Sequence, residues 1–308
     1  MLSEVYFLKA LRSRYDRSES LVIKLPELLE KAGIKDIVVK DNLVAIKIQP
    51  GTIGGYRMIR PQFVRQAVDV VRNLGGVPFV TNTLGFGNVE IAYFNGFSYA
   101  TVNAPFIPAN GIKENDYRVV ELKDAYHLKK VKVAGNIYDA DVLINFAHGK
   151  GHGSSGYAGA IKNLALGATT PDIRAKEHRL GRTENGTMKF HEAMADVARA
   201  VLSNKKDKSL HVTWLMDIVE HCDCGPFGLV PFVPDMGILA SKDIVALEKA
   251  SIDLINNAPP LPWSIADKFN LKAGDNKFLK IHGIDPYTQV YAAEKAGLGV
   301  SQYELIEF

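Results

Sequence analysis

Short apolar runs, most of them β-branched, recur along the chain at 5–9, 43–48, 77–81, 142–146, 212–218 and 236–240. Runs this short, without steady polar alternation, suit strands that are covered on both faces. Between them the apolar positions change to a helical period, at 21–32, 60–74, 190–202, 244–255 and 288–296. Gly33 stops the first of these, Pro61 opens the second, Gly75-Gly76 close it, and Gly297 closes the last. Proline in a first turn and glycine just past a last turn are the end signals that backbone geometry favours. The alternation predicts an α/β protein of two Rossmann-like lobes with mainly parallel sheets. One α/β lobe is expected over 1–136 and a second over 137–308, with interleaving of the two left open. Residues 100–136 are turn-rich and break the alternation. The polar stretch 169–189 reads as a loop or lid.

Composition narrows the function classes. The 308 residues are 47% hydrophobic, enough for a large core. With 37 basic against 34 acidic residues the net charge is +3, which makes no case for a nucleic acid or a membrane as partner. No run approaches the roughly 20 apolar residues of a membrane span. The opening residues are too short and too polar a run for a secretory signal, and two cysteines make no disulfide framework. A cytoplasmic location is expected.

The chemistry gathers where the run 139–145 leads into His148-Gly149-Lys150-Gly151-His152-Gly153-Ser154-Ser155-Gly156 and then Ala158-Gly159-Ala160-Ile161-Lys162-Asn163. A strand, a glycine-rich loop and a helix start can offer backbone N–H groups to an anion. Gly151, Gly153, Ser154, Ser155 and Gly156 are the candidate cradle, with Lys150 and Arg60 neutralising the charge. The triplet that marks a P-loop is absent. His152 can move protons near neutral pH. Lys162, just inside a helix start, is a candidate neutral, nucleophilic amine. A second constellation is His221-Cys222-Asp223-Cys224-Gly225-Pro226, after the run 212–218. Cys222 and Cys224 can place two thiolates on one soft metal or cluster, with His221 nearby and Gly225-Pro226 supplying the turn. The alternative is a pair of semi-buried cysteines in a turn. A third loop, 49–55, carries glycines and is followed by Arg57 and Arg60, a pairing suited to carboxylate or phosphate.

Taken together, residues 59–65, 140–145, 159–164, 222–224, 233–241 and 294–299 resemble an uncharacterised family of iron–sulfur centre proteins, catalogued as domain of unknown function three-six-two. Many members of that family carry a cysteine-rich, two-cluster ferredoxin insert between the glycine loop and the helix before Cys222. Here that place holds only 179–189, without cysteine. The loop is also similar to that of the nickel-pincer lactate racemase family, in which a histidine precedes a lysine by ten residues and a metal-binding histidine follows sixteen later. His152, Lys162 and His178 have those spacings. That resemblance implies proton transfer at His152, covalent cofactor attachment at Lys162 and metal ligation at His178. The chain departs from the racemase pattern in having no histidine before His127 and only Ile59-Arg60-Pro61 where the racemases have Thr-Arg-Pro.

Two functions follow as expectations. The first is an enzyme that binds a metal-containing or nucleotide-like cofactor in a cleft and performs isomerase or redox chemistry on a small anionic molecule. The second is a non-catalytic carrier of a metal or iron–sulfur cluster held by Cys222 and Cys224. Nickel, iron and zinc are the candidate ions, and a homodimer stays open.

Overall fold

The computed structural model describes residues 2–11, 14–225 and 229–308. Its twelve strands are β1 Ser3–Lys9, β2 Leu43–Lys47, β3 Val77–Asn82, β4 Phe106–Pro108, β5 Tyr117–Glu121, β6 Lys130–Ala134, β7 Val142–His148, β8 Lys150–His152, β9 Gly156–Ala158, β10 Ser209–Leu215, β11 Gly237–Ser241 and β12 Tyr303–Glu307. Eight of them form one sheet in the order β12-β1-β11-β10-β7-β2-β3-β4. Neighbours run parallel except on either side of β11, so β11 alone is reversed. The α/β class and the mainly parallel sheet agree with the pattern of the sequence.

Strands from the two expected lobes interleave, as the sequence left open. β1–β4 come from residues 1–136 and β7, β10, β11 and β12 from 137–308, and all eight lie in a single sheet. The reason is the two-sided apolar character of the central strands. In β7, Val142, Ile144 and Phe146 enter one hydrophobic cluster, while Leu143 and Ala147 enter the other. Helices Leu21–Lys31 and Pro61–Asn73 cover the first face. Helices Ala160–Gly167, Gly186–Leu202, Ile244–Asn257 and Tyr287–Lys295 cover the second. A strand apolar on both sides is buried only between two such layers.

Local departures have local causes. The stretch 169–189 contains helix Pro171–Leu180, which follows Thr170 with Pro171 in the first turn. Its buried residues are Ile173 and Glu177, so a carboxyl sits where a periodic apolar residue would have signalled a helix. Residues 100–136 hold β4 and the hairpin β5–β6. The expected strand 212–218 lies earlier, at Ser209–Leu215, because Asp217 adopts φ 51° and turns the chain away. No helix among the described residues is long and apolar enough to cross a membrane.

Candidate metal and anion site

The chain runs from β2 outward to β3 and β4, then returns to β7 on the other side of β2 and continues to β10. Strand order therefore reverses between β2 and β7, and open parallel sheets bind ligands in the crevice beyond the carboxyl ends of strands at such a point. A cleft of about 460 Å³ lies there. β2 brings Lys47 to it, β3 brings Asn82, β7 brings His148, and the segment after β10 brings Cys222 and Cys224.

The glycine-rich segment is a hairpin rather than an open loop. β8 and β9 pair antiparallel, with Gly151 opposite Tyr157. Gly156 turns at φ +71°, and Ser155 is buried with its hydroxyl donating to Tyr157 O at 2.7 Å. Gly151 packs so closely on the Glu220 backbone that an added Cβ would clash with it. His152 and Ser154 face the cleft. The N-terminus of helix Ala160–Gly167, expected to hold an external anion, already holds one of the chain's own carboxyls: Glu248 Oε2 accepts from Ala160 N at 2.7 Å. Arg60 is likewise taken, since its Nη2 donates to Asp217 Oδ2 at 2.6 Å and Arg57 Nη1 donates to Asp217 Oδ1 at 3.0 Å.

The cysteines are placed by the residue between them. Asp223 is buried, with both carboxylate oxygens 3.0 Å from His148 Nδ1 and one 2.6 Å from Lys150 Nζ. His148 Nε2 lies 2.8 Å from Met216 O. Burial would raise the Asp223 carboxyl, but His148 and Lys150 outweigh it and hold it below its usual range. With Asp223 pinned inward, Cys222 and Cys224 both reach the cleft. One donor atom from each of His152, Cys222 and Cys224 lies within 4.8 Å of the others. A hydrogen bond from Cys224 lowers Cys222, against its burial and with help from Lys162 and Lys150, while the same bond pushes Cys224 up. Cys222 is thus the member of the pair that favours the thiolate. Burial, then Lys162 and Lys150, drives His152 down to about 2, so its ring is neutral and can act as a ligand.

The remaining expected residues are partly gathered. Lys162 lines the cleft, and burial lowers its pKa. His178 also lines the cleft, but its ring stacks on Phe190 with centroids 5.3 Å apart and stands outside the group of three donors. His221 is directed elsewhere, its ring 6.2 Å from that of His282. Pro226, expected to help turn the cysteine segment, lies outside the described residues. Lys47, Arg174 and Arg182 line the cleft and were not expected there, and no aspartate or glutamate lines it among the described residues. Lys47 sits near the end of a predicted strand, but nothing in the sequence placed that strand beside the switch point. Arg174 and Arg182 had no signal, since the polar stretch gave no helix to place them.

Comparison with known proteins agrees with an uncharacterised group. A thylakoid-associated protein of Synechocystis sp. is 26% identical over 257 residues, covering 81% of this chain and 74% of its own length. The lactate racemase apoprotein of Thermoanaerobacterium thermosaccharolyticum superposes at a TM-score of 0.43 with 13% identity, over 63% of this chain and 49% of that one. A Thermotoga maritima protein superposes at 0.39 with 14% identity, over 66% and 52%. This chain spans about half of each of those two structures, and likenesses this distant carry no argument about chemistry. Residues 37–253, which include the switch-point strands, the hairpin and the cysteine segment, match the family described as Domain of unknown function (DUF362), and the chain belongs to that family.

Proposed function

We propose that the cleft holds one soft metal ion through His152, Cys222 and Cys224 and binds a small anionic molecule beside it for isomerase or redox chemistry. The observation that carries this reading is the approach of the three donor atoms to within 4.8 Å of one another. Two tetrahedral ligands on one ion, each about 2.0–2.3 Å from it, stand roughly 3.3–3.8 Å apart, so the donors need to close by about 1 Å, within the reach of side-chain rotation. One nitrogen and two sulfurs suit zinc, nickel or iron and leave a coordination position for a ligand. Lys162, Arg174 and Arg182, with no lining carboxylate among the described residues, supply the charge an anion requires. A carrier of an iron–sulfur cluster is less well supported, because such clusters take four protein ligands and the chain has two cysteines.

Protein purified without oxygen should retain close to one equivalent of a transition metal. Cys222→Ser/Cys224→Ser and His152→Ala should lose most of it, while His221→Ala should keep it. Unchanged metal content in the double cysteine variant would remove the site. A racemase-like arrangement draws support from one observation, that His152, Lys162 and His178 line the same cleft. It predicts a cofactor adduct on the peptide containing Lys162 and loss of metal in His178→Ala. A variant that keeps its metal would favour the histidine–cysteine centre instead.

A further inference from the structure

A row of buried polar side chains leads to the cleft, which Lys47 and Asn163 line. In the sheet register His211 lies beside Asn145, and Asn145 beside Lys47. Strand alternation turns these positions away from the face that takes Val44, Ile46, Ile144 and Val212, and toward helix Ala160–Gly167. Asn145 Nδ2 donates to Ala160 O at 3.0 Å and faces His211 Nδ1 at 3.2 Å. Its Oδ1 accepts from Asn163 Nδ2 at 2.7 Å, and Asn163 Oδ1 accepts from Lys47 Nζ. Each amide is oriented by the one before it, and the series ends on a lysine amine.

That amine has unusual surroundings. Lys47 is 1% exposed, and among the described residues no carboxylate lies within ion-pair reach of it. Its neutral partner is Asn163, and its side chain packs over Gly167, where a Cβ would collide with Nζ. The same absent Cβ would lie 2.8 Å from Asn82 Oδ1. Asn82 is 2% exposed and its Oδ1 has no hydrogen-bond partner, although its Nδ2 donates to Gln49 Oε1 at 2.9 Å. An amine and an open acceptor therefore stand side by side in the lining of the cleft. Burial, followed by Lys150, Lys162 and Arg174, lowers the Lys47 pKa well below that of a free lysine. Desolvation beside other cations is how a lysine becomes a nucleophile.

We infer that Lys47 is the reactive amine of the cleft and forms a Schiff base with a small carbonyl compound that carries an anionic group. The inference rests on the anion-binding reading above. The Lys47 lone pair attacks the carbonyl carbon, a C–N bond forms, and the π pair moves to oxygen. The oxygen takes one proton from the nitrogen and one from solvent and leaves as water, giving a protonated imine. No electron is gained or lost in this step. Asn82 Oδ1 is placed to accept from the carbinolamine hydroxyl, and Arg174 and Lys162 hold the anionic group.

The test uses glyoxylate as probe, with cyanoborohydride to trap the imine, and peptide mass spectrometry to locate the carboxymethyl group. Labelling should appear first on the peptide containing Lys47, at least tenfold faster than on Lys162 or surface lysines, and vanish in Lys47→Arg. Gly167→Ala, whose new methyl displaces the amine, should slow labelling severalfold and serves if Lys47→Arg does not fold. Earlier labelling of Lys162, or even labelling across the surface, would overturn the assignment. Oxalate, an anion that forms no imine, separates the two readings. Thermal stabilisation by oxalate without Lys47 labelling defeats the amine alone, whereas no stabilisation defeats the anion site itself.

Discussion

Replacing Asp223 by asparagine tests whether the buried triad places the cysteines. Asp223, His148 and Lys150 have side-chain exposures of 3%, 0% and 4%, so water does not screen their interaction. Asparagine keeps the shape and one acceptor oxygen. Its amide N–H₂ then meets either His148 or Lys150, and Lys150 loses its counter-ion. Breaking a buried charge pair by removing one member costs about 3–5 kcal/mol, and the retained oxygen puts this variant near the lower figure. A domain with the usual ~5–15 kcal/mol of stability stays folded after that loss. Equilibrium urea unfolding should read the destabilisation, and metal titration of the folded variant should show affinity weakened on the order of tenfold or more, as when an outer support of a metal ligand is removed. Asp217→Asn is the control. It also breaks two arginine contacts, but Arg60 is 41% exposed, so about 1 kcal/mol and wild-type metal affinity are expected. If Asp223→Asn binds metal as tightly as the wild type, the cysteines hold their places without the triad and the reasoning fails.

Three further outcomes are expected. Burial raises Glu248 from 4.5 to about 8, against the N–H bonds from Ala160 and Ile161, so the native protein keeps a proton that the unfolded chain has released. The stability that this group contributes is then fully present below pH 4.5 and falls as pH rises toward 8. Glu248→Gln, which does not titrate, should gain on the wild type by roughly 4 kcal/mol between pH 5 and pH 8 in urea unfolding, and a constant difference would contradict the buried acid. Asp196 is fully buried and accepts from the backbone N–H groups of Tyr126, His127 and Leu128 at 2.9, 2.7 and 2.8 Å, so Asp196→Ala should destabilise by about 3 kcal/mol with little change in metal content. Phe190→Ala removes the ring under His178 and a fully buried side chain, and should cost about 3–5 kcal/mol by thermal or urea unfolding.

Which parts of the site could be read in advance follows from how each residue signals. Cys222 and Cys224 are rare types two residues apart, and their convergence needs only a turn. His152 and Lys162 stood out because a glycine-rich run surrounds them, although the run forms a hairpin and its neighbouring helix start is filled by Glu248. Lys47 is one lysine among many in the sequence. Its significance depends on Asn163, which follows it by more than a hundred residues and reaches it across the sheet. Arg174, which faces Glu114, and the carboxylates that occupy Arg60 and Lys150 were invisible for the same reason: each partner is remote in sequence.

What the sequence determined by itself is what near neighbours dictate. Apolar runs without alternation made strands buried on both faces, proline and glycine bounded helices Pro61–Asn73 and Tyr287–Lys295, and the class followed. Only the tertiary structure decided that strands of both halves share one sheet, that the order reverses between β2 and β7, and that His152 stands with the two cysteines rather than with His178. The physical reason is that local periodicity specifies which face of an element must be buried but not which other element buries it. That choice belongs to the packing of the whole chain, where strand order, register and the pairing of buried charges are settled together.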